Sequence, residues 1–324
     1  MKKAQKRVSD YYSEQMTNRL VTHVGLARTG STYLQGVFSR LSSEKVDYND
    51  SYLLRCLTKG LDSSLSHAHI EKLQDTICQA RQQKHVVLSW EGLVADSWLL
   101  NYSGRAARLR QLIPDTTVLL IVRDPVEWAM SNYKNSFMKV RRLPGQSFRG
   151  VKDWYVPARH FFNISGGRVL PRKAPSWETR KTRLNLTDFS IRALVEDYER
   201  HFGSSLVVVP FETIFSGSRV DLSSLEQRLD LEFGSASSKT ENRSPDEIAY
   251  WLTDRLLNKA LHNVGQNSKA KRRVINRLAH VFFLLVSHGV RSDKRFFHEE
   301  RNALREFFEA NGDYDFFRKL LRQY

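Results

Sequence analysis

Residues 20–38 read LVTHVGLARTGSTYLQGVF. The β-branched, apolar run at 21–24 predicts a short strand, a glycine-bounded turn follows, and an amphipathic helix begins near Ser31. The spacing Gly25-x4-Gly30-Ser31-Thr32 matches a pattern that cradles phosphate, with serine standing where lysine is usual. Glycines let backbone N–H groups close on an anion, and a helix N-terminus adds free donors and the positive end of its dipole. Arg28 can supply the missing charge from inside the loop, because its planar fork suits a pair of phosphate or sulfate oxygens. The same spacing also fits an ordinary strand-to-helix turn with glycine at its corner.

Working outward, short apolar strands are predicted at about 86–89, 117–122 and 206–209, with helices between them. The helix after the loop is predicted to run to Leu41, and further helices over 62–84, 103–112, 125–142 and 187–203. Strands alternating with helices imply an α/β fold, a three-layer sandwich around a parallel sheet, in one domain with a helical region after about residue 245. Ligands of such sheets sit at the carboxyl ends of the strands. The loop at 25–32, Glu91 and Arg123 all fall at such ends.

The 324 residues carry a formal net charge of +16. Residues 134–183 hold thirteen Lys or Arg against Asp153 and Glu178. A second basic cluster contains Lys269, Lys271, Arg272, Arg273 and Arg277. Such a field attracts anionic cofactors, polyanions or acidic membrane surfaces and says nothing about fold. The segment 143–186 is long for a connection, which points to a lid or substrate loop. No apolar run approaches the ~18 residues of a membrane span. The basic N-terminus lacks the apolar stretch of a secretory leader, and two cysteines, Cys56 and Cys78, form no metal or disulfide pattern. The expected setting is cytoplasmic, with no metal, no nucleic-acid motif and no contact with membranes closer than the periphery.

In VLLIVRDPVEWAMSNYKN, Arg123 ends a strand, Asp124-Pro125 turns into a helix, and Ser131 follows eight residues after the arginine. Together with RTGST, this pair of motifs resembles the sulfotransferase family that uses PAPS (3′-phosphoadenosine 5′-phosphosulfate), with PAP as the product. The resemblance implies that Arg28, Thr29, Gly30, Ser31 and Thr32 hold the 5′-phosphosulfate, Arg123 and Ser131 the 3′-phosphate, and that Tyr33 also contacts the cofactor. The family's Ser-x-Tyr ending agrees with Tyr133. Arginine at position 28, where lysine is frequent, is in the style of carbohydrate and bacterial members. KTENRS at 239–244 resembles a segment that closes over the nucleotide, which implicates Arg243 and Ser244.

The implied reaction transfers a sulfuryl group in line to an acceptor hydroxyl, with loop donors and Arg28 stabilising the leaving phosphate oxygen. Glu91, in LSWEG, is the expected general base; His67, His69 and His85 are rivals. Arg141, Arg142, Lys152, Arg172 and Lys173, interleaved with Trp154, Tyr155 and Trp177, fit an anionic carbohydrate or glycolipid acceptor, or simply a solvated basic face. Two other readings stay open. A nucleotide kinase shares the strand–loop–helix but needs the lysine that Ser31 replaces. A non-catalytic polyanion-binding protein would explain the charge alone.

Overall fold

A computed structural model describes residues 18–26, 28–41, 44–63, 65–94, 104–141, 161–170, 186, 189–216, 219–233 and 297–324. The elements in chain order are β1 (Leu20–Gly25), α1 (Ser31–Phe38), β2 (Val46–Tyr48), α2 (Ser51–Asp62), α3 (His67–Gln83), β3 (His85–Ser89), α4 (Arg105–Leu112) and β4 (Thr117–Val122). They continue with α5 (Pro125–Arg141), β5 (Ile164–Ser165), β6 (Arg168–Val169), α6 (Ile191–Phe202) and β7 (Leu206–Pro210). The remainder are α7 (Phe211–Ile214), β8 (Phe215–Ser216), β9 (Arg219–Val220), α8 (Ser223–Leu229), α9 (His298–Ala310) and α10 (Asp313–Leu321). The chain divides into two compact units, one of residues 1–123, 191–241 and 319–324, the other of residues 124–190 and 242–318.

The first unit is built on a five-stranded sheet in the order β2-β3-β1-β4-β7, with every neighbouring pair parallel. Successive residues of a strand face opposite sides of the sheet. Val21, Val87, Leu119, Ile121 and Val209 therefore share one face, where Leu34, Val37 and Phe38 of α1 and Leu225 and Leu229 of α8 cover them. The alternate residues Val86, Leu88, Val118 and Leu120 are fully buried on the other face, on the side where α3 meets β3 and α6 meets β4 and β7. Helices thus cover both faces, which is why the strands read as nearly unbroken apolar runs. The expected three-layer α/β architecture is present.

Several elements differ from the sequence expectation. α1 stops at Phe38, and Ser39, Arg40 and Leu41 continue only as turns. The helix predicted over 62–84 occupies His67–Gln83, preceded by a separate helix, α2. Asp50 caps α2 by accepting from the Leu53 N–H at 2.8 Å, and α2 ends at Asp62, ahead of α3 at His67. On α3, Ile70, Leu73 and Ile77 face inward, whereas Cys78 is only half-buried. α6 begins at Ile191, because a turn closed by the Phe189 N–H on the Leu186 carbonyl precedes it. β2, a three-residue edge strand, has no counterpart in the sequence reading.

In the second unit, Tyr133 of α5 is buried in a cluster with Phe161, Phe162 and Phe297, at centroid distances of 5.2–5.8 Å. The tyrosine of the Ser-x-Tyr motif is therefore a core residue here. Arg301 of α9 pairs with Glu127 of α5, and Trp128 stacks at 4.6 Å on Phe189. Of the basic segment 134–183, the structure describes the backbone of α5 and the small hairpin of β5 and β6. The aromatics Trp154, Tyr155 and Trp177, the C-terminal basic cluster and the apolar run at 281–286 lie outside the described residues, as do Arg243 and Ser244. Among the described residues, no helix is long and apolar enough to cross a membrane.

Candidate active site

The sheet order places the loop after β1 and the loop after β4 side by side, on chains that then leave in opposite directions along the sheet. Gly25 is in register with Ile121, two residues before Arg123. The Arg123 guanidinium donates through Nη1 to the Arg28 carbonyl at 3.1 Å. It also lies 4.5 Å over the Phe211 ring, a cation–π contact. Two arginines distant in sequence thus meet at the carboxyl ends of adjacent strands.

The loop itself is tightly wound. Thr29 donates its backbone N–H and its hydroxyl to the Leu26 carbonyl, at 3.3 and 2.6 Å. Arg28 has φ 74°, in the left-handed region that bulky residues rarely adopt. Gly30, at φ 81°, caps α1 through its backbone, with no side-chain cap on the first turn. A β-carbon at Gly30 would stand 2.5 Å from Cε2 of Phe215, so backbone conformation and close approach both require glycine. Gly30→Ala should lower stability by roughly 2 kcal/mol and loosen the loop. A urea unfolding midpoint equal to that of the wild type would contradict this account.

Phe215 stacks on Phe211 at 4.5 Å, and Tyr33 meets the edge of Phe215 at 5.3 Å. Tyr33 is partly buried against the sheet core through this contact. Ser31 and Thr32, paired in the sequence reading, differ: Ser31 is 1% exposed and turned inward, while Thr32 is exposed to solvent. Ser131 is half-buried on the second turn of α5, in the other unit.

Glu91 opens a short 3-10 turn at Glu91–Leu93 directly after β3. β3 is hydrogen-bonded beside β1, and the Trp90 N–H reaches the His23 carbonyl at 3.4 Å. Glu91 is half-buried and at the same end of the sheet as the loop. The rival bases are placed differently. His85 starts β3 at the opposite end of the sheet, where its Nδ1 accepts from the Arg19 N–H at 3.1 Å. His67 pairs with Glu71 and His69 with Ser66, both on the exposed first turn of α3.

Neither spacing nor resemblance singles out Phe211, Phe215 or His23. His23 is buried to 1% exposure on β1, its Nδ1 is 2.7 Å from Ser89 Oγ, and burial lowers its pKa to about 4. A histidine among apolar residues of a strand carries no sequence signal beyond its type. Among the described residues, no group of three or more His, Cys, Asp or Glu is arranged to hold a metal ion.

The chain matches no family model, and no relative was found among curated proteins. Among solved structures, it is similar to a sulfotransferase from Alicyclobacillus acidocaldarius. That likeness has a TM-score of 0.42 and 16% identity, covering 75% of this chain and 93% of the other.

Proposed function

We propose that this protein is a PAPS-dependent sulfotransferase that acts on a hydroxyl of a carbohydrate or glycolipid. The observation that carries the reading is the meeting of Arg123 with the Arg28 carbonyl beside a glycine-bounded loop at a helix N-terminus. Backbone donors and the Arg123 guanidinium make that corner suited to an anion, with Arg28 of the loop assigned a share of the charge. The residues present fit a phosphosulfate in the loop, on Arg28, Thr32 and the first N–H groups of α1. Arg123 is assigned to the 3′-phosphate, and the sequence motif adds Ser131 to that role.

In the proposed reaction, the acceptor oxygen forms a bond to sulfur as the bond from sulfur to the 5′-phosphate oxygen breaks. Negative charge gathers on the leaving oxygen, where Arg28 and the loop amides stabilise it. The acceptor proton passes to the Glu91 carboxylate, for which a strand-end position beside the loop is favourable. The basic segment 134–183 is proposed to guide an anionic acceptor.

Titration calorimetry with PAP, against 5′-AMP and ATP–magnesium, tests the reading. A marked preference for PAP supports it; equal affinity for all three, or magnesium-dependent ATP hydrolysis, overturns it. Glu91→Gln is expected to leave PAP affinity within about twofold, since it removes no phosphate contact, while slowing transfer of labelled sulfuryl to a saccharide panel by at least ~100-fold. Normal turnover by that variant removes Glu91 from the role of base.

A further inference from the structure

The floor of the loop contains a buried ring that the transfer chemistry leaves unused. His23 lies on the sheet face covered by α1, with its ring 5.9 Å from that of Phe38. Ser89, at the end of β3, places its Oγ 2.7 Å from His23 Nδ1. The far edge of the ring faces Gly25. A β-carbon there would stand 3.0 Å from His23 Nε2, 2.6 Å from Ser31 Oγ and 3.4 Å from Thr29 Oγ1. Gly25 therefore allows three polar atoms to approach one point of the backbone from β1, the loop and α1. Among the described residues, neither His23 Nε2 nor Ser31 Oγ has a hydrogen-bond partner, and both atoms are buried. Buried polar atoms are nearly always satisfied, so two such atoms on either side of one glycine form a natural pair.

We propose that His23 is a positioning residue for the anion loop: when the anion binds, its Nε2 edge takes up the Ser31 hydroxyl beneath Gly25 and so fixes the first turn of α1 around the phosphosulfate. The 2.7 Å contact of Ser89 Oγ with Nδ1 fixes the ring orientation and leaves Nε2 facing Gly25 and Ser31. Ser31, anchored inward, leaves Thr32 and the backbone N–H groups to face the anion. His23 thus lies between Ser89 of β3, bonded at Nδ1, and Ser31 of α1, which Nε2 takes up as the anion binds. The inference rests on the reading of the loop as a phosphosulfate site.

The test compares PAP binding by calorimetry in wild type, His23→Asn, His23→Gln, Ser31→Ala and the double variant His23→Asn/Ser31→Ala. Asparagine can keep the contact to Ser89 but has nothing at the Nε2 position; glutamine can place an amide N–H there. His23→Asn and Ser31→Ala should each weaken PAP binding about five- to tenfold. The double variant should bind no more weakly than the weaker single variant, and His23→Gln should stay within about twofold of wild type. Wild-type affinity in His23→Asn, or losses that multiply in the double variant, would overturn the proposal while leaving the PAP site standing. A wild type with no preference for PAP removes the reading and the proposal with it. If His23→Asn does not fold, nitrogen NMR of histidine-labelled wild type decides. The buried neutral ring, identified by its acid titration, should shift on adding PAP, and an unchanged signal overturns the proposal.

Discussion

Arg123→Ala is expected to weaken PAP binding by about 100-fold while changing affinity for 5′-AMP by no more than about fivefold. A charge-assisted hydrogen bond to phosphate contributes roughly 1.5–3 kcal/mol, and Arg123 offers a fork able to make two. The side chain is already restrained, by its bond to the Arg28 carbonyl and by the Phe211 ring beneath it. Little rotamer entropy remains to be lost on binding, so most of the interaction appears as affinity. The AMP comparison separates two causes. Loss of the Arg28 contact alone would loosen the loop and weaken both nucleotides alike, whereas loss of a 3′-phosphate ligand acts on PAP only. Arg123→Lys should restore part of the affinity, since a point charge cannot reproduce the planar fork. Equal losses for AMP and PAP would sink the assignment.

The second large effect is on stability in acid. His23 is fully buried, and burial holds its pKa at about 4 against 6.5 for an exposed ring. Above pH 6.5 the ring is neutral in folded and unfolded chains, and the stability is fully present. As pH falls from 6.5 toward 4, the unfolded chain takes up a proton that the folded chain refuses. Stability is lost across that window by about 3 kcal/mol in total and levels off below pH 4, where both states are protonated. Urea midpoints for wild type and His23→Gln at pH 7.5, 6, 5 and 4 measure this. Their difference should shrink or reverse in favour of glutamine as the pH drops, because glutamine cannot titrate and carboxylates elsewhere act equally on both proteins. Parallel curves would mean that the ring reaches solvent or a charged partner when protonated.

The parts of the fold that were legible in the sequence share a physical feature. The strands at 20–25, 85–89, 117–122 and 206–210 are covered on both faces, so burial selects apolar residues at nearly every position. β2 was not legible because it is a three-residue edge strand, Val-Asp-Tyr, with only Val46 buried. α2 has no counterpart in the sequence reading, since only Leu53, Leu57 and Gly60 of it are buried, and the helix start expected at 62 falls on its last residue.

At the candidate site, the sequence by itself determined the loop, its two glycines and the ends of strands at which Glu91 and Arg123 stand. Local spacing suffices for these, since a turn, a helix start and a strand end are decided within a few residues. Only the tertiary structure decided which side chains meet there. Parallel pairing of β1 with β4 joins Arg123 to Arg28 across 95 positions of chain. β7, pairing with β4 in turn, leads into Phe211 beneath Arg123 and Phe215 against Gly30. The inward turn of Ser31 and the approach of His23 to Gly25 arise from α1 lying on one face of the sheet. Such contacts depend on register and on which face a helix covers, and neither quantity is written in the spacing of any one segment.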